Sequence, residues 1–382
     1  MAYPTLNSNI INSGLYNQII SQQIFTRIRR GSELVDKARV EGTLYGDTKT
    51  YFAADAIHTK PFVQDSVDAL NLLAISRNKT VQTQDIVLNV FRIAETTTDN
   101  LLSKQAWSDE GTFAKYTDLL NQMVPTAMYL HDTTEYNAFI GACAVGTYGK
   151  QNPSALSLTS GKEGQEIAQA LADICADMSM RPSRDYNDYK HITKFSLEEI
   201  KIVWNSKWVN FIEKINLPVL FHKDGVMDKF AENVLHEDYF GDKIALSAAS
   251  SGTVDATHPI KKTGSVYTWE PDAANSVFIR VTEEVELTCT DGVTKVSFFA
   301  GELLENPAGK TLVVTDLDGK MYVKNDKIIC KVFVELPPYM SACELASEFV
   351  NNKNHSTNRY LVFGRNTLEK FDAYPCVTVK KS

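Results

Sequence analysis

The sequence predicts an α+β fold, because helix-forming and strand-forming segments are grouped along the chain. Amphipathic helix patterns recur between residues 99 and 215, whereas residues 264–336 carry short apolar or alternating segments separated by turn signals. A third observation is the extended pattern of residues 38–95, which buries its own side chains poorly around Tyr51 and Phe52. Helices and strands that are grouped in this way are typical of α+β architectures.

The most regular helix pattern follows Ser160, which has Glu163 at the spacing of a capping box. Arg181-Pro182 predicts the end of this helix, since proline restricts the residue before it and cannot continue the helix. Next come a polar loop, a predicted strand at Ile200–Trp204, and a second helix capped by Asn205 or Ser206. We predict a helix–loop–strand–helix layer whose first helix has one apolar face, formed by Ile167, Leu171, Ile174, Cys175 and Met178.

The segments on either side of this layer predict different structures. Residues 99–148 predict a long helix that Pro125 should kink or divide into two. Residues 264–336 predict short strands, with turns at Asp291-Gly292 and Asp318-Gly319. We therefore expect the long helix to precede the central layer and a compact β subdomain to follow it.

The last part of the chain, residues 337–382, predicts two short elements. A short helix is expected from Ala342 to Val350, followed by a last strand at Val377–Val379. A strand this short is not stable alone, so it must pair with a strand already formed.

The first part of the chain offers candidate contact residues. Residues 1–37 are polar but contain several isoleucines and a small basic cluster. They form either a solvated terminus or an arm that becomes ordered against neighbouring subunits. The residues of the segment 38–98 by themselves predict an ordinary hairpin with an insertion. The candidate contacts of these two segments are Ile24, Phe25, Arg29, Arg30, Tyr51 and Phe52.

Composition and charge exclude some classes of function. The 39 lysines and arginines are outnumbered by 47 acidic residues, giving a net charge of −8, which argues against a general binder of nucleic acid or of anionic membranes. No apolar run approaches the roughly 20 residues that span a bilayer, and no secretion signal is visible. The six cysteines are spread out without a C-x-x-C pair, so reduced thiols and synthesis in the cytoplasm are expected.

The strongest catalytic pattern lies at Asp316 and Asp318, after the apolar run Leu312–Val314. It resembles the nucleophile loop of haloacid-dehalogenase-type phosphatases, which would make the chain a phosphoryl-transfer hydrolase that uses magnesium. Lys320 departs from the threonine of that family, and too little chain follows to build the rest of its domain. A turn between two strands is the favoured interpretation. The histidines show no H-x-x-x-H spacing, His131 and His222 are expected at helix ends, and we predict no metal or other cofactor.

Three segments together resemble the major capsid proteins of tailed bacteriophages, which share the HK-ninety-seven-like shell fold. They are the loop Ser183-Arg184-Asp185-Tyr186, the element Phe221-His222-Lys223-Asp224-Gly225, and the segment from Phe363-Gly364-Arg365-Asn366 to Tyr374–Val379. The resemblance is greatest to short-tailed and crAss-like gut phages. It implies an N-terminal arm (1–37), an extended two-stranded loop that reaches over an adjacent subunit (38–98), a long spine helix with a central α/β layer of the peripheral type (99–263), an inserted or axial β subdomain (264–336) and a return to the central domain (337–382). It also places the partner of the last strand in the central layer, near Ile200–Trp204, so that Val377 and Val379 would face the helix that carries Leu171 and Ile174.

The resemblance also implies a function. The chain would assemble into pentamers and hexamers of an icosahedral shell around double-stranded DNA, without sequence-specific contacts and without catalysis. Because no long charged scaffold segment is present, a separate scaffolding protein and a portal are implied as partners. Two alternatives remain open: an encapsulin-like nanocompartment shell, and a β-rich binding module in residues 264–336, for instance for carbohydrate. The expected location is the virion capsid, assembled in the host cytoplasm.

Overall fold

The computed structural model describes most of the central and C-terminal chain and part of the first hundred residues. The described residues are 33–38, 40–43, 48–56, 59, 81–88, 90–99, 110–142, 156–184, 186, 189–213, 233–248, 259–269, 279–315, 317–351, 353, 356–365 and 375–382. The chain divides into two compact units. The first unit comprises Met1–Asp47, Leu88–Tyr136 and Pro338–Thr367, and the second comprises Thr48–Val87, Asn137–Pro337 and Leu368–Ser382.

Helices and strands are numbered here in chain order. The helices are α1 (Leu34–Lys37), α2 (Glu110–Ala142), α3 (Glu163–Met180) and α4 (Ser206–Glu213). The strands are β1 (Val40–Thr43), β2 (Thr48–Ala54), β3 (Val81–Val87), β4 (Val90–Asp99), β5 (Ile200–Asn205), β6 (Val234–Leu235), β7 (Gly241–Ile244), β8 (Lys261–Thr263), β9 (Val266–Trp269), β10 (Ile279–Val281), β11 (Val285–Cys289), β12 (Lys295–Phe298), β13 (Leu312–Val313), β14 (Met321–Lys324), β15 (Ile328–Val334), β16 (Tyr339–Asn351), β17 (Ser356–Arg365) and β18 (Cys376–Lys380).

The first unit is built on a sheet with strand order β1-β16-β17-β4. β16, β17 and β4 are antiparallel neighbours, and β1 adds to β16 in parallel. One face of this sheet packs on α2, where the ring of Phe363 on β17 lies 5.7 Å from that of His131. Tyr339 on β16 meets Tyr136 of α2 edge to face, with ring centroids 5.7 Å apart. These buried aromatic residues join helix and sheet into one core.

The second unit contains the central layer, a sheet with strand order β18-β15-β5-β6 packed on α3. Residues that lie opposite one another on β5, β15 and β18 share a face of this sheet. On the face that packs on α3, the apolar residues of these strands form one core with the helix. That core contains Ile167, Leu171, Ile174, Ile202, Trp204, Cys330, Val332, Val377 and Val379. The predicted orientation of Val377 and Val379 towards Leu171 and Ile174 is confirmed, although β18 pairs directly with β15 and not with β5.

The strands between the central-layer elements form two further sheets in the second unit. Their strand orders are β12-β11-β13-β9-β8 and β10-β14-β7. A separate apolar core joins them and includes Ile260, Trp269, Val281, Leu287, Leu312 and Met321. Both predicted turns are present, with Gly292 and Gly319 at φ of 72°. The last strand of the 264–336 range, β15, belongs to the central sheet and not to these two sheets.

Three local predictions, and one alternative of a fourth, differ from the structure. Residues 342–350 form part of strand β16 and not a helix, because they pair with β17 along almost its whole length. Helix α2 runs through Pro125, which excludes the division into two helices, one of the two alternatives predicted for this proline. His131 lies inside α2, well before its end. Helix α3 begins at Glu163 after Lys162, and its first turn is held by the Glu166 carboxylate, which accepts a hydrogen bond from the Thr159 N–H.

Candidate assembly surfaces

The residues predicted to make contacts between subunits fall into two groups. Ile24, Phe25, Arg29 and Arg30 lie outside the described residues. Tyr51 and Phe52 lie on β2, which forms an antiparallel hairpin with β3, in register from Thr48 opposite Val87 to Ala54 opposite Val81. The extended pattern at 38–98 therefore does contain the predicted pair of strands.

One face of the β2–β3 hairpin is open and carries apolar as well as polar side chains. Phe52 is 74% exposed on this face, together with Ala54, Val81 and Val87. Thr50 donates a 2.6 Å hydrogen bond to Asp85 across the same face. Tyr51 points to the opposite, partly buried face, where the Lys49 ammonium lies 5.3 Å from its ring centroid. Phe52 is therefore the more exposed of the two predicted contact residues on this hairpin.

The far end of β2 is attached to the loop that follows α3. Asp55 accepts hydrogen bonds from Arg184 Nη1 at 2.8 Å and from the Ile192 backbone N–H at 2.9 Å. The Ile192 N–H, the Arg184 guanidinium and the Ala56 N–H hold the pKa of Asp55 down, to about 2, against the effect of its burial. This carboxylate links the hairpin to the Ser183–Tyr186 loop that carries part of the family resemblance.

The sheet of the first unit also has an open apolar face, opposite the one that α2 covers. Phe91 and Ile93 on β4 are 53% and 58% exposed, and Phe349 on β16 is 59% exposed. Val362 on β17 lies directly opposite Ile93, so it is on the same face. Sequence reasoning missed this surface, because its residues come from strands that are far apart in the chain.

Beneath the covered face of that sheet lies a buried polar cluster. Arg365 on β17 reaches Asp132 of α2 with two hydrogen bonds, from Nε to Oδ1 at 2.9 Å and from Nη2 to Oδ2 at 2.8 Å. The hydroxyl of Tyr339 donates to Asp132 Oδ1 at 2.7 Å and accepts from Arg365 Nε at 3.0 Å. One turn further along α2, Glu135 is fully buried, and one of its oxygens is 3.2 Å from His131 Nε2.

Burial controls the protonation of this cluster. Removal from water, reinforced by the charge of Asp132, raises the pKa of Glu135 to about 8, although Arg365 and Arg92 oppose the shift. The same burial, together with the charge of Arg92, lowers the pKa of His131 to about 4. At neutral pH the imidazole is therefore neutral and Glu135 is mostly protonated.

Comparison with known proteins gives matches in three-dimensional structure. Neither the protein-family models nor the curated proteins include a match to this sequence. A chain in the capsid structure of Staphylococcus phage Andhra gives a TM-score of 0.60 at 11% identity, covering 93% of this chain and 86% of that chain. A chain in the structure of the head fiber and inner core protein gp22 of native bacteriophage P68 gives a TM-score of 0.53 at 11% identity, covering 93% and 88%. This chain has the fold of a phage capsid chain. The predicted resemblance to capsid proteins is confirmed at the level of the fold.

Of the two aspartates of the phosphatase hypothesis, the structure describes Asp318. Asp318 lies in the turn before β14, where its Oδ1 accepts a hydrogen bond from the Leu246 backbone N–H at 2.9 Å. Asp316 lies outside the described residues. Asp318 thus holds a turn in place, as the favoured interpretation of its sequence pattern predicted.

Among the helices that the structure describes, none is both long and apolar enough to cross a membrane.

Proposed function

We propose that this chain is the major capsid protein of a tailed bacteriophage, which assembles into the pentamers and hexamers of an icosahedral shell. The observation that carries the proposal is the fold, which matches a chain in a phage capsid structure over 93% of this sequence. Two open apolar faces support it further. Exposed apolar patches of this kind mark surfaces that bind another protein.

The proposed architecture is the HK-ninety-seven-like shell fold. In it α2 is the spine helix, the β2–β3 hairpin is the extended loop, and α3 with the β18-β15-β5-β6 sheet is the central layer. The inserted subdomain is formed by the strands from β7 to β14, so its boundary lies before β15 and not at residue 336. Residues 1–37 are the N-terminal arm, with Ile24, Phe25, Arg29 and Arg30 as contacts to neighbouring subunits.

The two open faces suggest how neighbouring copies meet. The hairpin face around Phe52 of one copy packs on the sheet face around Ile93 of the next. Burying an aromatic or large aliphatic side chain contributes about 2 kcal/mol, so a single contact is weak. A closed shell repeats the same contact at every subunit, and the sum holds the shell together.

The remaining partners follow from the same proposal. The shell encloses double-stranded DNA without sequence-specific contacts, which suits a chain with a net charge of −8. Assembly takes place in the host cytoplasm with a separate scaffolding protein and a portal. The mature location is the virion capsid, and the shell has neither a catalytic role nor contact with a membrane.

The test is assembly of the full-length chain, produced with and without the neighbouring phage gene products. Negative-stain electron microscopy and velocity sedimentation are expected to show closed particles for the parent chain. Phe52→Asp and Ile93→Asp, on the two open faces, are expected to leave folded protein that forms no shells. Val293→Asp is the matched control, since Val293 is 83% exposed in the turn between β11 and β12 and belongs to neither face.

Two results would contradict the proposal. If the parent chain forms no large particles even with its neighbouring gene products, the capsid function is wrong. If Phe52→Asp and Ile93→Asp form shells as readily as Val293→Asp, the chain remains a capsid protein but the two faces are not its contacts.

A further inference from the structure

Helix α2 places three metal-binding side chains together in the first unit. Donor atoms of His131, Asp132 and Glu135 all lie within 4.8 Å of one another. His131 and Glu135 are four residues apart, so they project from the same side of the helix. Imidazole nitrogen and carboxylate oxygen are donors that zinc and related divalent ions accept together.

The spacing of two of these donors suits ligands that share an ion. His131 Nε2 and Glu135 Oε2 are 3.2 Å apart, yet Nε2 makes no hydrogen bond with any described residue. Zinc–nitrogen and zinc–oxygen bonds of about 2.0–2.2 Å at a tetrahedral angle place two ligands about 3.3 Å apart. The observed distance therefore fits a pair of ligands whose lone pairs converge on one point.

Glu135 provides an independent observation that points to a ligand. Its side chain has no exposed surface, and its Oε1 has no hydrogen-bond partner within the described part of the chain. A buried polar atom without a partner costs about 1–3 kcal/mol, so such atoms call for an explanation. A cation bound by the carboxylate would satisfy this oxygen.

We propose that His131, Asp132 and Glu135 bind one divalent ion of the first transition series, with zinc as the representative. Arg365 and Tyr339 would act as its outer shell, because their hydrogen bonds to Asp132 fix the orientation of that carboxylate. The positive charges of Arg365 and Arg92 weaken the attraction for a cation. The affinity should consequently be lower than that of a structural zinc site made of cysteines.

Zinc binding to the purified full-length chain tests this site. The chain is first treated with a chelator and then dialysed against zinc chloride, and retained zinc and the thermal midpoint are measured. The parent is expected to retain one zinc per chain and to unfold at a higher temperature with zinc than without it. His131→Gln and Glu135→Gln should lose both effects.

His236→Gln is the matched control, because His236 Nδ1 lies 3.0 Å from Asp238 Oδ2 in a similar pair that is exposed to solvent. It should retain zinc as the parent does. Tyr339→Phe removes only an outer-shell hydroxyl and keeps all three ligands, so it should weaken zinc binding about tenfold. It therefore reports on the site even if a ligand variant fails to fold.

Two outcomes would overturn the proposal. One is a parent chain that retains no zinc and shows no shift of its thermal midpoint. The other is retention that survives in Glu135→Gln and His131→Gln but is lost in His236→Gln, which would identify an adventitious surface pair. Neither outcome bears on shell formation, so the site and the proposed function can fail separately.

Discussion

Asp132 and Arg365 are 233 positions apart in the sequence, yet they form a two-pronged ion pair beneath the sheet of the first unit. Both side chains are buried, and Tyr339 completes the hydrogen bonding of the carboxylate. This pair joins helix α2 to strand β17 at a point where little water can replace either partner.

Removal of Arg365 should therefore destabilise the chain severely. Arg365→Met leaves the buried charge of Asp132 uncompensated, and we expect a loss of about 3–5 kcal/mol in the free energy of unfolding. Chemical denaturation of the full-length chain measures this loss. Arg181→Met is the control, since the Arg181 side chain is 59% exposed where it pairs with Asp177 at 2.7 Å, and it should change stability by less than about 1 kcal/mol. Equal losses for the two variants would show that burial of the Arg365 pair has no special effect.

Glu135 should make stability fall as the pH rises. Its pKa is about 8 in the folded chain against 4.5 ordinarily, so between these values the folded state holds a proton that the unfolded state has released. The contribution is complete below about pH 4.5 and is lost as the pH rises through about 8, with a slope near 1 kcal/mol per pH unit. Between about pH 4 and 6.5 the lowered pKa of His131 acts in the opposite direction. Denaturation is therefore followed from pH 6.5 to 8 in a buffer with a chelator, where Glu135→Gln should remove this slope. A slope that persists in Glu135→Gln would assign the effect to other groups.

Asp55 should control the exchange of one backbone amide. In Asp55→Ala the Ile192 N–H loses its acceptor, and its hydrogen exchange should become faster, while the thermal midpoint should change little. Asp85→Ala, on the same hairpin, is the control and should leave the exchange of Ile192 unchanged. In the parent chain the low pKa of Asp55 predicts that the contact is retained above about pH 4 and lost as the pH falls through about 2. Protection of Ile192 that does not depend on Asp55 would argue against this attachment.

The last strand should matter for the folding of each subunit. Val379 is completely buried in the core of α3, so Val379→Ala is expected to lower the free energy of unfolding by about 1–3 kcal/mol. Deletion of residues 375–382 should destabilise the chain more strongly. Thr378→Ala lies on the other face of β18 and serves as the control, with a smaller expected loss. An unchanged thermal midpoint after the deletion would mean that β18 contributes nothing to the central layer.

Local sequence patterns predict those helices, strands and turns whose conformation depends little on the elements they pack against. Helix α3, strand β5 and the Asp291 and Asp318 turns follow from hydrophobic periodicity and glycine placement, and the structure has all of them. The segment 342–350 was predicted as a helix because alanine, glutamate and leucine favour helices. Its pairing with β17 overrides this preference, and a single sequence does not reveal such a distant partner.

The candidate surfaces also divide into one that the local sequence predicts and one that depends on distant strand pairing. Phe52 could be predicted because its own strand has little to bury it. The Ile93 face could not be, since it depends on the register of β4 with β17, more than 250 residues later. The spacings between histidines do not indicate the His131–Glu135 pair. The signal in the sequence is instead His-x-x-x-Glu on a predicted helix.

The strand order of the central sheet has a consequence for synthesis on the ribosome. Asn205, at the end of β5, donates a hydrogen bond to the carbonyl of Ile328, at the start of β15, and 123 positions separate them. A nascent chain therefore exposes β5 without its antiparallel neighbour β15 while all the residues between them are translated, and β18 emerges later still. Non-local pairing of this kind folds slowly, so we expect newly made chains to need protection from aggregation. Pulse-labelled hydrogen exchange during refolding should show late protection of the β5 amides, and early protection would argue against this order of events.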